Sequence, residues 1–224
     1  MAEDRTEGKR KDRVTVKTLK LIDALRAAAN AMIAAEPELT ELDSELGDGD
    51  CGMGLKTGFT AVLAALEGKD DASADEIMKL TASSLISSIG GTSGAIYGTA
   101  FMRMAKALKA GPADSLVKIG EVLQAGLDGA KMRGENTQVG DKTMIDALEP
   151  AVLAFKEKAA AGASIQEACA AATDAAKAGA DSTIDLIAKK GRASYLGERS
   201  IGHRDAGSYG IYVFAKAVAA YVAE

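Results

Sequence analysis

Three aspartates lie within eight residues of one another near the front of the chain, in the run LDSELGDGDCGMG. If Asp43, Asp48 and Asp50 converge, their charges repel, and a hard divalent cation such as Mg²⁺ is the usual way to offset that repulsion. Gly47 and Gly49 have access to backbone angles that other residues avoid, so alternate side chains can be aimed inward. The spacing predicts a Mg²⁺ site that leaves positions open for water and phosphate.

The glycines that follow the aspartates strengthen the phosphate interpretation. Gly52 and Gly54 leave backbone N–H groups bare where an amphipathic stretch begins, and a helix N-terminus attracts anions. A solvated turn with an aspartate cap is the simpler alternative for such a segment. An EF-hand does not fit, because its twelfth position, counted from Asp43, is Gly54 rather than a bidentate glutamate.

Two further glycine-rich segments also precede predicted helices. In SSIGGTSG, Thr92 and Ser93 offer hydroxyls and amides suited to phosphate oxygens, although ordinary helix capping explains them equally well. The segment RGENTQVGDKTM ends like a P-loop, but its first glycine is misplaced and no strand precedes it, so we reject a Walker A motif. Asp141 or Thr143 as a helix cap is the simpler interpretation.

The last polar segment, GRASYLGERSIGHRDAGS, is unusually long for a connection inside a helical domain, and such loops are usually functional. Arg192, Arg199 and Arg204 supply planar guanidinium groups that match phosphate. His203 is the only histidine of the chain. No second histidine or nucleophile completes a triad, so we assign no catalytic residue.

The composition predicts an all-α protein. The 224 residues are rich in alanine and include four Phe, five Tyr and no Trp, and apolar residues recur at helical spacing in eight stretches. The first stretch ends before Pro37, the sixth carries Pro150, where we expect a kink or a break, and the seventh runs from about Ser164 to Lys190. Ser164 and Glu167 form a predicted capping box. We predict a charged arm at residues 1–13 and one helical domain at 14–224.

Charge and cysteine usage exclude several classes of function. A net charge of −5 and a pI near 5.1 argue against a nucleic-acid partner. Cys51 and Cys169 are too far apart in sequence to suggest a disulfide framework or a zinc site. The charged start shows no signal peptide, and no apolar run is long enough for a membrane, so a reduced cytoplasmic compartment is expected.

Four motifs, taken in order, carry a family resemblance: LDSELGDGDCG, SSIGGTSGAIYG, GDKTM and GRASYLGERSIGHRDAG. They resemble the nucleotide-binding domain of dihydroxyacetone kinases, and the last is especially similar to the separate ADP-binding L subunit of bacterial enzymes. The resemblance runs from about Leu19 to the end of the chain. It implies a single-domain barrel of eight antiparallel amphipathic helices with the nucleotide at one end, in agreement with the eight helical stretches.

The resemblance also implies a ligand set. Asp43, Asp48 and Asp50 would hold two Mg²⁺ ions that bridge the phosphates of ADP or ATP. The residues that would contact the nucleotide itself are Cys51, Gly52, Met53, Gly54, Thr92, Ser93, Arg133, Met144, Arg192, Asp205, Ala206 and Gly207. The ketose would be bound on a separate K subunit, through a histidine that this chain lacks.

The expected activity is Mg²⁺-dependent phosphoryl transfer to a short ketose such as dihydroxyacetone or erythrulose. Phosphocarrier-dependent subunits of this family often have histidine where Cys51 stands, whereas ATP-dependent kinases often have Thr or Cys. Cys51 thus slightly favours exchangeable ATP over ADP recharged by a phosphocarrier protein. Ala206 replaces a frequent proline. A fatty-acid-kinase-like system and an ADP-loaded partner of a transcription factor remain alternatives, and a homodimer is compatible with the sequence.

Overall fold

The structure, a computed structural model, describes residues 20–224, so the predicted charged arm at residues 1–13 lies outside the described residues. The described part is entirely helical and contains no strand. Its nine α-helices are α1 (Leu21–Ala34), α2 (Glu36–Leu46), α3 (Cys51–Ala65), α4 (Ala74–Ser88), α5 (Gly91–Ala110), α6 (Leu116–Arg133), α7 (Ile145–Ala160), α8 (Ile165–Ser182) and α9 (Ala206–Ala223). Two 3-10 segments, Thr183–Asp185 and Arg192–Ser200, lie between α8 and α9.

Eight of these helices form a closed ring. From α3 to α9 each helix packs against the next, and α9 and α3 both pack against α1. Neighbours are antiparallel: the Lys20 N–H at the start of α1 donates to the Tyr221 hydroxyl near the end of α9 over 3.0 Å. Likewise, Lys131 near the end of α6 pairs with Glu149 near the start of α7 at 2.9 Å. The predicted barrel of eight antiparallel helices is confirmed.

Small residues allow the helices to approach closely. A Cβ added at Gly98 of α5 would lie 2.1 Å from Cγ1 of Ile86 in α4. At Gly179 of α8 it would lie 2.1 Å from the carbonyl oxygen of Asp146 in α7. Glycine is unfavourable in a helix interior, so Gly98 and Gly179 lower the intrinsic stability of their helices but allow the helices to pack closely. The second contact fixes the end of α8 against the start of α7.

The interior of the ring is apolar and incompletely filled. Phe59, Tyr97, Phe101 and Phe214 form a chain of ring contacts with centroids 6.1–6.4 Å apart. Apolar side chains of α1 and α4–α9 surround a cavity of about 530 Å³. Among residues 20–224, no helix combines the length and the apolar character needed to cross a bilayer.

The local predictions about the helices have different outcomes. The first stretch ends before Pro37, as predicted, because α1 ends at Ala34. The short helix α2 was not predicted, and Pro37 lies in its first turn, where proline is favourable. Pro150 does not break α7, which continues to Ala160. The seventh stretch ends as an α-helix at Ser182 rather than near Lys190, because a 3-10 turn follows it and residues 186–190 are not helical. Its start is confirmed, with the capping box of Ser164 and Glu167 in place.

Candidate functional site

The up-and-down order of the ring brings all four polar segments to one end of the barrel. The connections α2–α3, α4–α5, α6–α7 and α8–α9 are every second connection of the chain, and alternate connections of an antiparallel ring share an end. The acid-rich segment, the SSIGGTSG segment, the GDKTM segment and the long final segment occupy these four connections. Segments up to 150 residues apart therefore form one surface.

The three aspartates converge at this end. One carboxylate oxygen from each of Asp43, Asp48 and Asp50 lies within 4.8 Å of the others. Asp43 is in the last turn of α2 and is half-buried, and its Oδ2 accepts from the Cys51 N–H over 3.2 Å. Asp48 and Asp50 are exposed in the connection to α3. We call these three residues the acidic cluster; its oxygen donors match the preference of Mg²⁺.

Glycine makes this convergence sterically feasible. A Cβ at Gly47 would lie 2.7 Å from Asp43 Oδ1, and Gly49 has a φ of +74°, which glycine adopts without strain. Gly52, in the first turn of α3, would place a Cβ 2.2 Å from the Thr40 hydroxyl and 2.3 Å from the Glu36 carbonyl. Because Gly52 has no side chain, α2 lies directly against the start of α3 and carries Asp43 to the other two acids.

Two side-chain contacts connect the final segment to the acid-rich segment, one to the acidic cluster and one to α2. Arg192 pairs with Asp48. His203 Nδ1 lies 2.6 Å from Oε2 of Glu45, the second-last residue of α2. Arg192 brings a positive charge to a group of three carboxylates, which lowers the electrostatic cost of their convergence. His203 is thus a partner of Glu45, and its position gives it no nucleophile to activate.

Cys51 begins α3 beside the acids. Burial raises the pKa of its thiol to about 12, and the charges of Asp43, Asp205 and Asp50 act in the same direction. The thiol is therefore protonated at neutral pH and is a poor nucleophile. Met53, two residues further, is 54% exposed on the surface of the same turn.

The start of α5 supplies Thr92 and Ser93. The N-cap of this helix is Gly90, which has no side-chain capping bond, and neither hydroxyl is hydrogen-bonded to a described residue. The capping interpretation of Thr92 and Ser93 is therefore wrong. Both hydroxyls, together with the unpaired amides of the first turn, remain available to an anion.

The GDKTM segment folds into a tight turn before α7. Asp146, a buried carboxylate, accepts from the N–H groups of Gly140 and Thr143 over 2.6 and 2.7 Å. Thr143 Oγ1 accepts from the Ile145 N–H over 3.2 Å, but the N-cap of α7 is Met144 and makes no side-chain capping bond. Asp141 instead accepts from the Gln138 N–H within the turn. These bonds explain the motif without a phosphate, in keeping with the rejection of a Walker A loop.

Asp205 is the N-cap of α9, and its Oδ2 accepts from the Ser208 N–H over 2.6 Å. Asp205 is half-buried, and the burial of its carboxylate raises its pKa to about 7. Asp146 and Asp43 add to the rise, whereas the bond from Ser208 and the charge of Lys142 oppose it. Gly207 lies next to Met144, since a Cβ there would be 3.5 Å from Met144 Cβ.

The predicted site residues therefore share one end of the barrel, with different degrees of contact. Asp43 is hydrogen-bonded to Cys51 and Asp48 is paired with Arg192, and Asp50 lies with its carboxylate near those of Asp43 and Asp48. Arg133 ends α6 at the same end and is exposed, without a hydrogen bond or ion pair to another described residue.

Three buried polar residues were missed by sequence reasoning, namely Lys142, Asp146 and Thr183. Their residue types were visible, but their burial depends on contacts between distant segments.

Comparisons with known proteins identify the family to which this chain belongs. The family model described as "DAK2 domain" matches residues 45–220. The chain therefore belongs to the DAK2 domain family, and the resemblance to the L-type domain of dihydroxyacetone kinases is confirmed.

Among its relatives is the "PEP-dependent dihydroxyacetone kinase, ADP-binding subunit DhaL" of Escherichia coli (strain K12), 42% identical over 76% of this chain and 80% of that protein. A second DhaL subunit, from the PEP-dependent dihydroxyacetone kinase 1 of Listeria innocua, is 39% identical with the same coverage. The L-erythrulose kinase of Pectobacterium atrosepticum is 35% identical over 88% of this chain and 34% of that enzyme.

The fold has counterparts among solved structures. The native dihydroxyacetone kinase of C. freundii superposes with a TM-score of 0.73 at 24% identity. Its complex with AMP-PNP and Mg²⁺ gives a TM-score of 0.72 at 23% identity. This chain spans 38% and 37% of those chains, and at such identities the likeness establishes the fold alone.

Proposed function

We propose that this protein is the nucleotide-binding subunit of a kinase for dihydroxyacetone or a similar short ketose. The observation that carries the proposal is the convergence of Asp43, Asp48 and Asp50 at the barrel end that also gathers the other three polar segments. The similarity to two ADP-binding DhaL subunits, at about 40% identity, supports the same function.

The donor set fits magnesium. Three carboxylates with oxygens within 4.8 Å, two of them exposed, offer hard ligands and leave room for water and phosphate. We propose that the acidic cluster holds two Mg²⁺ ions, which would neutralise charge on the phosphate oxygens during transfer. Around them, Arg192 offers a guanidinium to the same phosphates, and the first turns of α3 and α5 offer backbone N–H groups.

The nucleotide-contacting residues are proposed from the family motifs together with this geometry. The first turn of α3 contributes Cys51 to Gly54, and α5 contributes Thr92 and Ser93. From the other side, the set is completed by Arg133, Met144, Arg192, Asp205, Ala206 and Gly207.

The chain's own contribution is positioning and charge neutralisation. The Cys51 thiol is protonated at neutral pH, so it is not poised as a nucleophile. Fixed dipoles and cations around a transferring phosphoryl group account for most of the catalysis in such reactions. The ketose would therefore be activated on a partner K subunit rather than here.

We propose bound ADP, recharged by a phosphocarrier protein, as the donor system. Two relatives whose names specify ADP binding and PEP dependence are 39–42% identical, whereas the L-erythrulose kinase is 35% identical. These identities outweigh the single residue Cys51, which taken alone favours exchangeable ATP.

Exposed apolar side chains border the same end and support docking of a partner there. Tyr195 is 87% exposed, Met53 54%, Val139 51% and Ile201 45%. Together they form a broken apolar rim around the charged site, typical of a surface that meets another protein.

The function is tested by reconstitution. The full chain is combined with a K subunit of a dihydroxyacetone kinase, a PEP-driven phosphocarrier system, ADP and Mg²⁺, and dihydroxyacetone phosphate is measured. We expect turnover with the wild type, a loss of at least about a hundredfold with Asp50→Asn, and wild-type rates with Asp128→Asn, an exposed acid of α6. Equal activity of both variants, or no ketose phosphate with any K subunit tried, would contradict the proposal.

A further inference from the structure

Lys142 is the most unusual charged residue of the described part. It lies in the turn between α6 and α7 and is only 1% exposed. Its backbone φ is +61°, a conformation that lysine rarely adopts. Its Nζ donates to two backbone carbonyls, those of Thr183 and His203, each over 2.6 Å.

These two carbonyls lie at the two ends of one loop. We call residues 183–205, which connect α8 to α9, the closing loop. The ammonium group of Lys142 binds the first residue of the closing loop and its third-last residue, so it holds the two ends of the loop together. Arg192, which pairs with Asp48, lies within this loop, and Asp205 is its last residue.

Other bonds complete the base of the closing loop. The Gly202 N–H donates to the Ile184 carbonyl over 2.8 Å, and the Asp205 N–H donates to the Thr183 hydroxyl over 3.0 Å. The Lys189 N–H donates to the Asp141 carbonyl over 3.1 Å. Lys142 is the charged member of this group, and it binds both ends of the loop from a different segment of the chain.

A buried ammonium is costly, which makes a purely structural origin a poor explanation. Burial lowers the pKa of Lys142, and only the nearby carboxylates of Asp205, Asp146 and Asp185 oppose this effect. An apolar residue would fill the same space without that cost, and a glycine would adopt the positive φ without strain. Lys142 therefore costs stability, and what it provides in return is its two hydrogen bonds to the closing loop.

We propose that Lys142 is a positioning residue that holds the closing loop against the acidic cluster and so sets Arg192 for the nucleotide phosphates. Lys142 reaches the phosphate only through the loop, although its GDKT motif superficially resembles a P-loop. This inference rests on the proposed function, because it assumes that the barrel end binds a nucleotide.

The first test compares ADP affinity in Mg²⁺ by calorimetry for three chains. Lys142→Gly keeps the positive φ and removes the ammonium. Lys131→Met is the matched control, since it removes a lysine that pairs with Glu149 between α6 and α7, away from the closing loop. We expect roughly tenfold weaker ADP binding or more for Lys142→Gly, and wild-type affinity for the control.

Amide hydrogen exchange shows which part of the protein the Lys142→Gly substitution loosens. In Lys142→Gly the amides of Lys189, Gly202 and Asp205 should lose protection, while those of α3 and α5 keep it. If this variant does not fold, Thr183→Val takes its place, because it removes the acceptor of the Asp205 N–H and should shift the same amides and weaken ADP binding less.

A double-mutant cycle separates positioning from general destabilisation. If Lys142 acts through Arg192, then Lys142→Gly combined with Arg192→Ala should weaken ADP binding by clearly less than the product of the two single effects. Wild-type ADP affinity in folded Lys142→Gly, or multiplicative effects in the double variant, would overturn the inference. A wild type that binds no ADP would instead overturn the proposed function.

Discussion

The two sides of the barrel end are built in opposite ways. The acidic cluster comes from one contiguous segment of eight residues, is largely exposed, and is assembled by a short helix and two glycines. The base of the closing loop joins residues 41 and 61 positions apart, is buried, and is assembled by hydrogen bonds to backbone groups. The first side gathers charge for a ligand, and the second gives the site its shape. Identical substitutions should therefore have different consequences on the two sides.

The largest expected difference is in the free energy of unfolding, when one aspartate on each side is replaced by asparagine in the protein without metal or nucleotide. Asp146→Asn weakens two short bonds from backbone N–H groups to a buried carboxylate and turns an amide NH₂ toward a donor, so it should cost about 1.5–3 kcal/mol of the free energy of unfolding. Asp50→Asn relieves repulsion within the acidic cluster and should cost nothing. Urea unfolding in EDTA measures both, and equal losses would remove the distinction between the two sides.

A smaller effect concerns pH. The pKa of Asp205 is about 7 in the folded protein, raised chiefly by burial, against about 4 when unfolded. Between these values the unfolded chain has released the proton that the folded chain still holds, so the contribution of Asp205 to stability is full below about pH 4 and is lost as the pH rises to about 7.

This dependence is isolated by Asp205→Asn, since asparagine preserves the N-cap. The difference in unfolding free energy between wild type and variant, measured in EDTA from pH 4 to 8, should change through that window and become constant above it. A constant difference throughout would show that the carboxylate is not buried.

The smallest expected effect on the fold is at the apolar rim. Tyr195→Ala removes an almost fully exposed ring, so the free energy of unfolding should change by less than about 0.5 kcal/mol and ADP affinity should stay the same. Ketose phosphorylation in the reconstituted system should fall through a raised KM for the K subunit. An unchanged KM would place the partner elsewhere on the barrel.

The contrast between the two sides also explains how much the sequence could predict. The periodicity of apolar residues predicted the eight ring helices, because each helix needs only its own buried face. The acidic cluster was predictable for a similar reason, since its ligands and glycines are neighbours in sequence. The short helix α2 was missed because Pro37 was interpreted as an end, although proline is also favourable in a first turn.

The buried base of the closing loop could not be predicted in the same way. Nothing in the residues near Lys142 indicates a positive φ or a partner at Thr183 and His203, because both depend on how α6, α7 and α8 pack. From the residues alone, the motif GDKT was therefore interpreted as a rejected P-loop or a cap, and no role was assigned to Lys142. Similarly, the pairing of His203 with Glu45 requires the closing loop to reach across the site to α2.

ADP titration of the purified full chain, with and without Mg²⁺, tests whether the acidic cluster holds metal and nucleotide together. We expect the wild type to bind ADP tightly in Mg²⁺ and far more weakly in EDTA. The Asp48→Asn, Asp50→Asn double variant should bind ADP as weakly as the wild type in EDTA, whether or not Mg²⁺ is present. Undiminished, Mg²⁺-dependent ADP binding by the double variant would contradict the proposed role of the acidic cluster.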